Sequence, residues 1–188
     1  MKRILVIEGS PRKGNTAAVT DWVLAGLGGD MAVERIRAAE LDIHPCRECL
    51  RCTKTSSGAR CGQDDDMVKV YDKLVDSDLT IFTTPVFCWG PTAQLKTVLD
   101  RCFALFSGEN ILKGAKWALV ITAGGDHYDG AELVVTMFKH LCRFVGIEYL
   151  GQHVVAPCPD RRRLKQSRLL ARQAKEFGRG LREALVSR

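Results

Sequence analysis

Three short runs constrain the fold most. Residues 4–7 (ILVI), 79–83 (LTIFT) and 118–122 (ALVIT) are apolar or β-branched, without polar alternation. Strands that read this way are buried on both faces. Residues 32–37 and 147–156 are weaker strand candidates. Amphipathic stripes at helical spacing separate them. Val19, Trp22, Val23, Gly26 and Leu27 form the first, and Met67, Val70, Tyr71, Leu74 and Val75 the second. Leu95, Val98, Leu99, Cys102, Phe103 and Phe106 form the third. Val134, Met137, Phe138, Leu141, Cys142 and Val145 form the fourth, and Leu170, Ala174, Phe177, Leu181 and Leu185 the last. Residues 64–66, all Asp, precede the second helix, where carboxylates suit the cap and the macrodipole. Strand and helix thus alternate five times. That order implies an α/β three-layer sandwich with a parallel sheet between helices. Right-handed crossovers leave few topologies, and the common five-stranded one runs 2-1-3-4-5. One domain over residues 1–188 is expected, with a cysteine-rich insertion at about 38–63.

Several classes are set aside. Residues 1–8 hold too short an apolar core for a signal peptide. No apolar run approaches the ~18 residues a membrane span needs. A cytoplasmic setting, where thiols stay reduced, is the expectation. The net charge is +6, but from Pro159 onward ten Lys/Arg stand against three Asp/Glu, and the remainder is −1. A basic terminal helix of this kind reads as a solvated face, so no nucleic acid and no membrane partner is expected. Arg161 to Arg163 read as a solvated helix start.

In open α/β sheets, ligands sit beyond the carboxyl ends of the strands, where strand order reverses. Three segments fall there. GSPRKGNT (residues 9–16) follows the first strand. Gly9 and Gly14 allow close backbone approach, while Ser10, Asn15 and Thr16 supply side-chain donors. Arg12 adds charge and the helix N-terminus adds free N–H groups. Neither Gly-Lys-Ser/Thr nor GxGxxG is present, so a single phosphate monoester is the natural guest. The second segment, Thr84 followed by Pro85, Val86, Phe87, Cys88, Trp89 and Gly90, places aromatics in a loop. Thr122, Ala123, Gly124 and Gly125 form the third, with glycines suited to close approach. Together they describe a slot for a planar heterocycle beside a phosphate.

With these motifs in order and spacing, GSPRKGNT, TPVFCWGPTAQLKTVLDR and ITAGG, the chain resembles the flavodoxin-like NADPH-dependent FMN reductase family. Within it, the likeness is to the iron–sulfur flavoproteins. The resemblance implies that Ser10, Arg12, Asn15 and Thr16 hold the FMN phosphate. It implies that residues 85–90, with Thr122 to Gly125, line the isoalloxazine. It also implies a homodimer or homotetramer that completes the flavin pocket.

Four of the eight cysteines fall within sixteen positions, as Cys46-x2-Cys49-x2-Cys52-x8-Cys61. A zinc ribbon pairs two CxxC knuckles across a long spacer. Three cysteines in one tight run look more like a ferredoxin-type cluster binder. The compact motif of the iron–sulfur flavoproteins has a somewhat shorter last gap, a departure that bears on Cys61. A [4Fe–4S] cluster, zinc and no metal stay open here, with the cluster favoured. Arg47, Arg51 and Arg60 lie near in sequence and would offset an anionic cluster. Cys102 and Cys142 read as core, Cys88 as a loop residue, and Cys158 has no account. His127 is a candidate for the flavin edge, and His44 is a remote candidate ligand.

The expectation is an FMN-dependent oxidoreductase passing electrons between a reduced donor, NAD(P)H or ferredoxin, and a small-molecule or small-protein acceptor. The protein supplies positioning and electrostatics, and no acid or base residue is nominated as catalytic. A clusterless NAD(P)H-dependent FMN or quinone reductase is the first alternative. A non-enzymatic module on the same fold is the second. Against a receiver, Glu8-Gly9 and Thr84-Pro85 stand where acidic groups belong; against a phosphatase, no cysteine has arginine six positions later.

Overall fold

In a computed structural model, which describes residues 1–54 and 61–187, the five strands form one parallel sheet in the order 2-1-3-4-5. The strands are β1 (Arg3–Glu8), β2 (Ala32–Arg37), β3 (Leu79–Pro85), β4 (Lys116–Thr122) and β5 (Glu148–Val155). β1, β3 and β4 are central and almost wholly buried. β2 and β5 lie at the edges, which is why their sequences alternate more and read more weakly.

Successive residues serve opposite faces. Leu5, Ile7, Phe82, Leu119 and Ile121 meet the layer of α2 (Met67–Asp76), α3 (Ala93–Arg101) and α4 (Glu132–Val145). Ile4, Val6, Ile81, Ala118 and Val120 meet α1 (Asn15–Leu27) and the last helix, α6 (Arg168–Val186). Each fully buried large apolar side chain contributes about 1.5–3 kcal/mol. α1 and α6 touch backbone to backbone. A Cβ added at Gly178 would sit 2.0 Å from the Val23 carbonyl oxygen, and one at Gly26 2.1 Å from that of Lys175.

The helices number six among the described residues rather than five. Asp160 accepts hydrogen bonds from the N–H groups of Arg162 and Arg163, which starts a short helix, α5 (Arg161–Gln166). Ser167 then caps α6 through the Leu170 N–H. The third stripe is also divided: α3 ends at Arg101, and residues 102–105 tighten into a 3₁₀ turn. The acidic run before α2 departs from expectation as well. Asp66 stands at the N-cap but makes no side-chain cap bond. Its carboxylate accepts from the Asp42 N–H, while Asp65 accepts from the Met67 N–H and otherwise serves a buried ion pair. No helix among the described residues is long and apolar enough to cross a membrane.

Candidate functional site: a strand-end cavity and a thiol cavity

The carboxyl ends of the central strands are tied together. Gly9 N–H donates to the Thr83 carbonyl, Val86 N–H to Thr122, and Ala123 N–H to Val155. Thr92 is fully buried; its hydroxyl donates to the Gly9 carbonyl at 2.7 Å, and its N–H to Thr84 Oγ1 at 3.1 Å. Thr92 also caps α3. The three strand-end loops are therefore held by one buried network, and a cavity of about 500 Å³ opens between them. That size suits a small-molecule site.

Ten of the fourteen expected cofactor residues line this cavity: Ser10, Arg12, Asn15, Thr16, Pro85, Val86, Phe87, Thr122, Ala123 and Gly124. Cys88, Trp89, Gly90 and Gly125 do not. Phe87 and Gly90 exchange both backbone hydrogen bonds, so Cys88 and Trp89 form the tip of a two-residue turn. Both have positive φ, 45° and 60°, which side chains other than glycine adopt at a cost. Gly130, packed under Trp89, has no room for a Cβ. The tip stands out from the cavity and Trp89 is 64% exposed. His127 is exposed, in the turn of residues 127–131, and does not line the cavity.

At the phosphate loop, several side chains are already engaged. Ser10 Oγ donates to the Arg12 carbonyl. Thr16 and Thr122 share a hydroxyl–hydroxyl bond of 2.7 Å. Asn15 Nδ2 donates to the Pro159 carbonyl at 2.8 Å and touches Cys158 Sγ at 3.4 Å. What remains open is backbone. The first intrahelical bond of α1 is from Ala18 N–H to Gly14, and the N-cap Gly14 supplies no side-chain cap. The amides of Asn15, Thr16 and Ala17 precede that bond and lack intrahelical acceptors. Beside them stand Arg12, Lys13 and Arg161, which are cationic and line the cavity. Uncapped amides, and cations with no ion pair among the described residues, fit an anionic phosphate.

Gly9 serves a different purpose from the expected one. A Cβ there would lie 2.7 Å from both Leu95 Cβ and Thr92 Oγ1, so it admits α3, not a ligand. Gly125 is packed on the Asp129 carboxylate, whereas Gly124 faces open space. Lys13, Cys158 and Arg161 are cavity residues that sequence reasoning passed over. Arg161 gave a signal, since it begins a helix capped by Asp160 just after the last strand. Cys158 gave none; burial raises its thiol pKa, against the hydrogen bond from Asn15.

The cysteine segment forms a second cavity, of about 590 Å³. Cys46, Cys49, Cys52 and Cys61 all line it. Its far wall is Leu99, Phe103, Phe106, Met137 and Leu141 from the α3 and α4 side. Those residues belong to the third and fourth helical stripes; Leu99 is part of the core, Phe106, Met137 and Leu141 pack against it, and all five also line this cavity. Glu48 and Leu50 have positive φ, 49° and 53°, on either side of Cys49. Backbone strain of this kind collects at ligand sites. Among the described residues no three His, Cys, Asp or Glu side chains converge on one point as a single ion requires. Four thiols lining one space are a donor set that either a [4Fe–4S] cluster or zinc takes. Gln63 Nε2 lies 3.9 Å from Cys61 Sγ. Arg47 lines the cavity, Arg51 does not, and Arg60 lies outside the described residues. His44 is not in the lining; it faces Asp65. Cys102 and Cys142 are buried core, and burial pushes both thiols up to about 12.

The profile of the NADPH-dependent FMN reductase family matches residues 2–158. An iron–sulfur flavoprotein of Archaeoglobus fulgidus is 34% identical over 135 residues, covering 70% of this chain and 67% of that protein. One from Methanocaldococcus jannaschii is 33% identical over 135 residues, covering 71% and 67%. Among solved structures, an NAD(P)H:quinone oxidoreductase from Methanothermobacter marburgensis superposes with a TM-score of 0.74 at 14% identity, covering 96% of each chain. That last likeness speaks for the fold alone.

Proposed function

The chain belongs to the NADPH-dependent FMN reductase family, an FMN-dependent oxidoreductase family, and from that premise we propose a two-centre electron carrier. FMN occupies the strand-end cavity, and a [4Fe–4S] cluster is held by Cys46, Cys49, Cys52 and Cys61. FMN exchanges electrons singly or in pairs and a cluster exchanges them singly, so a two-electron donor can serve a one-electron acceptor. The single observation that carries the reading is that all four thiols line one cavity, between the cysteine segment and the α3 and α4 side.

The residues divide the work. The open amides at the start of α1, with Arg12, Lys13 and Arg161, bind the phosphate. Ser10 and Thr16 hold the loop in shape through their own hydrogen bonds. Pro85, Val86 and Phe87 with Thr122 to Gly124 bound the ring slot and exclude water from it. NAD(P)H or ferredoxin is the donor and a small molecule or small protein the acceptor. The chain assembles as a homodimer or homotetramer. The aromatics Phe87, Trp89 and Tyr128 support this, because they stand exposed beside the slot and would be covered by a second copy.

The test is an anaerobic purification followed by an absorption spectrum and assays of iron, acid-labile sulfide and flavin. About four irons per flavin, with broad absorption under the flavin bands, is the expected result. Flavin without iron or sulfide overturns the cluster and leaves a clusterless FMN or quinone reductase. Failure to take up FMN overturns the reading of the strand-end cavity.

A further inference from the structure

A further cleft, of about 550 Å³, adjoins the strand-end cavity on its phosphate side, and Lys13, Gly14 and Arg161 line both. It lies among the first turns of α1, the carboxyl ends of β1 and β2, and α5. None of the ring-slot residues borders it. Helix α1 contributes the small side chains of Ala17 and Ala18, which leave room beside the open amides. The end of β2 is also fastened to the phosphate loop, because Arg37 Nη2 donates to the Pro11 carbonyl at 3.4 Å.

The carboxylates of this cleft are all paired. Arg35 holds Asp21 and the buried Glu8, and Arg37 holds Glu40. The other three cations of the lining, Lys13, Arg161 and Lys165, have no ion pair among the described residues. Arg161 and Lys165 stand one turn apart on α5, so their charges share one helix face. Lys13 and Arg161 border both spaces, whereas Lys165 borders only the cleft. A phosphate monoester carries about two negative charges. The open amides of α1 with Arg12, Lys13 and Arg161 already meet them, and Lys165 is surplus to that site. The positive charge therefore continues past the place of the first phosphate.

We propose that this cleft is an adenylate subsite, so that the chain binds FAD as well as FMN, with the second phosphate at Lys165 and the adenosine toward the end of β2. FAD is FMN extended by an adenylate at its phosphate, so the extension begins where the two spaces adjoin. FMN concentrates its negative charge on one phosphate. FAD divides it between two, and the second needs cations of its own. Nucleotides in open α/β sheets lie across the strand ends, with phosphate at a helix N-terminus and the ribose on a carboxylate near the end of the following strand. Glu40 follows β2, and its side chain is 59% exposed, so it can accept from a ribose hydroxyl while Arg37 holds it. The GSPRKGNT loop suits one phosphate, and the cleft supplies room and charge for the next. The inference rests on the reading that a flavin occupies the strand-end cavity.

The test is isothermal titration calorimetry of the full-length, flavin-free protein with FMN and, separately, with FAD. The parent, Lys165→Ala and Lys165→Glu are compared. Lys165 is exposed and lies outside the strand-end cavity, so FMN binding by each variant is the check on its folding. The reported quantity is the ratio of the two dissociation constants in one protein. A general change in surface potential acts on both flavins and cancels in that ratio. The parent is expected to bind FAD within about tenfold of FMN. Relative to FMN in the same variant, FAD should weaken about threefold in Lys165→Ala and about tenfold or more in Lys165→Glu. FAD bound by the parent more than about tenfold more weakly than FMN overturns the subsite and leaves the flavin reading standing. FAD bound well but with the same ratio in all three proteins also overturns it, since the adenylate then lies in solvent. Binding of neither flavin overturns the reading of the strand-end cavity, and the subsite with it.

Discussion

Asn15 Nδ2 donates to the Pro159 carbonyl at 2.8 Å, which joins the first turn of α1 to the segment after β5 across 144 positions. The bond closes the phosphate end of the strand-end cavity, and it brings Cys158 and Arg161 to the same wall. Asn15→Ala is expected to weaken FMN binding about tenfold, the value of one lost hydrogen bond of about 1–1.5 kcal/mol. Titration of apoprotein by flavin fluorescence quenching measures it. A dissociation constant within twofold of the parent's would show that the tie does not shape the site.

Gly9→Ala places a methyl group 2.7 Å from Leu95 Cβ and Thr92 Oγ1, both in a fully buried setting. Overpacking of this order costs about 1–3 kcal/mol. Urea unfolding should show that loss in midpoint with an unchanged slope. FMN affinity should fall with it, since Thr92 holds the Gly9 carbonyl and the Thr84 loop together.

Gly178→Ala drives a methyl group into the Val23 carbonyl at the contact of α1 and α6. The nearest atoms are backbone, so no rotamer change relieves it. The expected loss is about 3 kcal/mol or more, seen as a lower Tm. Gly180, which has nothing within 4 Å of an added Cβ, is the control, and Gly180→Ala should be neutral or slightly stabilising.

His153 is buried, its ring stacks on Phe177 at 5.9 Å between centroids, and its Nε2 has no hydrogen-bond partner among the described residues. Burial lowers its pKa below the ordinary histidine value. The unfolded chain therefore binds the proton more readily than the folded one. This contribution to stability is whole above about pH 6.5 and is lost as pH falls below it, by at most about 1.4 kcal/mol per pH unit. Tm measured at pH 7.5 and 5.5 should fall less in His153→Leu than in the parent. An equal fall in both would place the acid sensitivity elsewhere.

Much of this was legible in the chain because the physics was local. The runs at 4–7, 79–83 and 118–122 could be read as central strands, since continuous apolar sequence has no other use in a sheet covered on both sides. The boundaries of β2 agree at both ends, residues 32 and 37. The open amides at the start of α1 were legible because a Gly-rich turn before a helix offers them whatever surrounds it. What escaped depends on residues far apart in sequence. Met137, Leu141, Phe103 and Phe106 repeat at helical spacing just as core residues do, and periodicity cannot tell a core from the wall of a cavity. Asp65 looked like a helix-start carboxylate because the arginine that claims it is 36 positions away. Arg161 is exposed at a helix start, as solvated charge would be, and it also borders the cavity because the fold brings the segment after β5 to the start of α1.

The contact of α1 with α6 also bears on how the chain is made. Gly26 and Gly178 let two helices meet that are separated by some 150 residues, and α1 buries Val19, Val23 and Leu27 chiefly against that partner and the sheet. During synthesis α1 leaves the ribosome well before α6. Until α6 arrives, an apolar helix face stays uncovered beside a nascent sheet, and closing so long a loop is slow. A chain built this way steadies the helix that begins at its strand-end cavity only after α6 has docked, and chaperone capture should be strongest on chains stalled between β5 and α6.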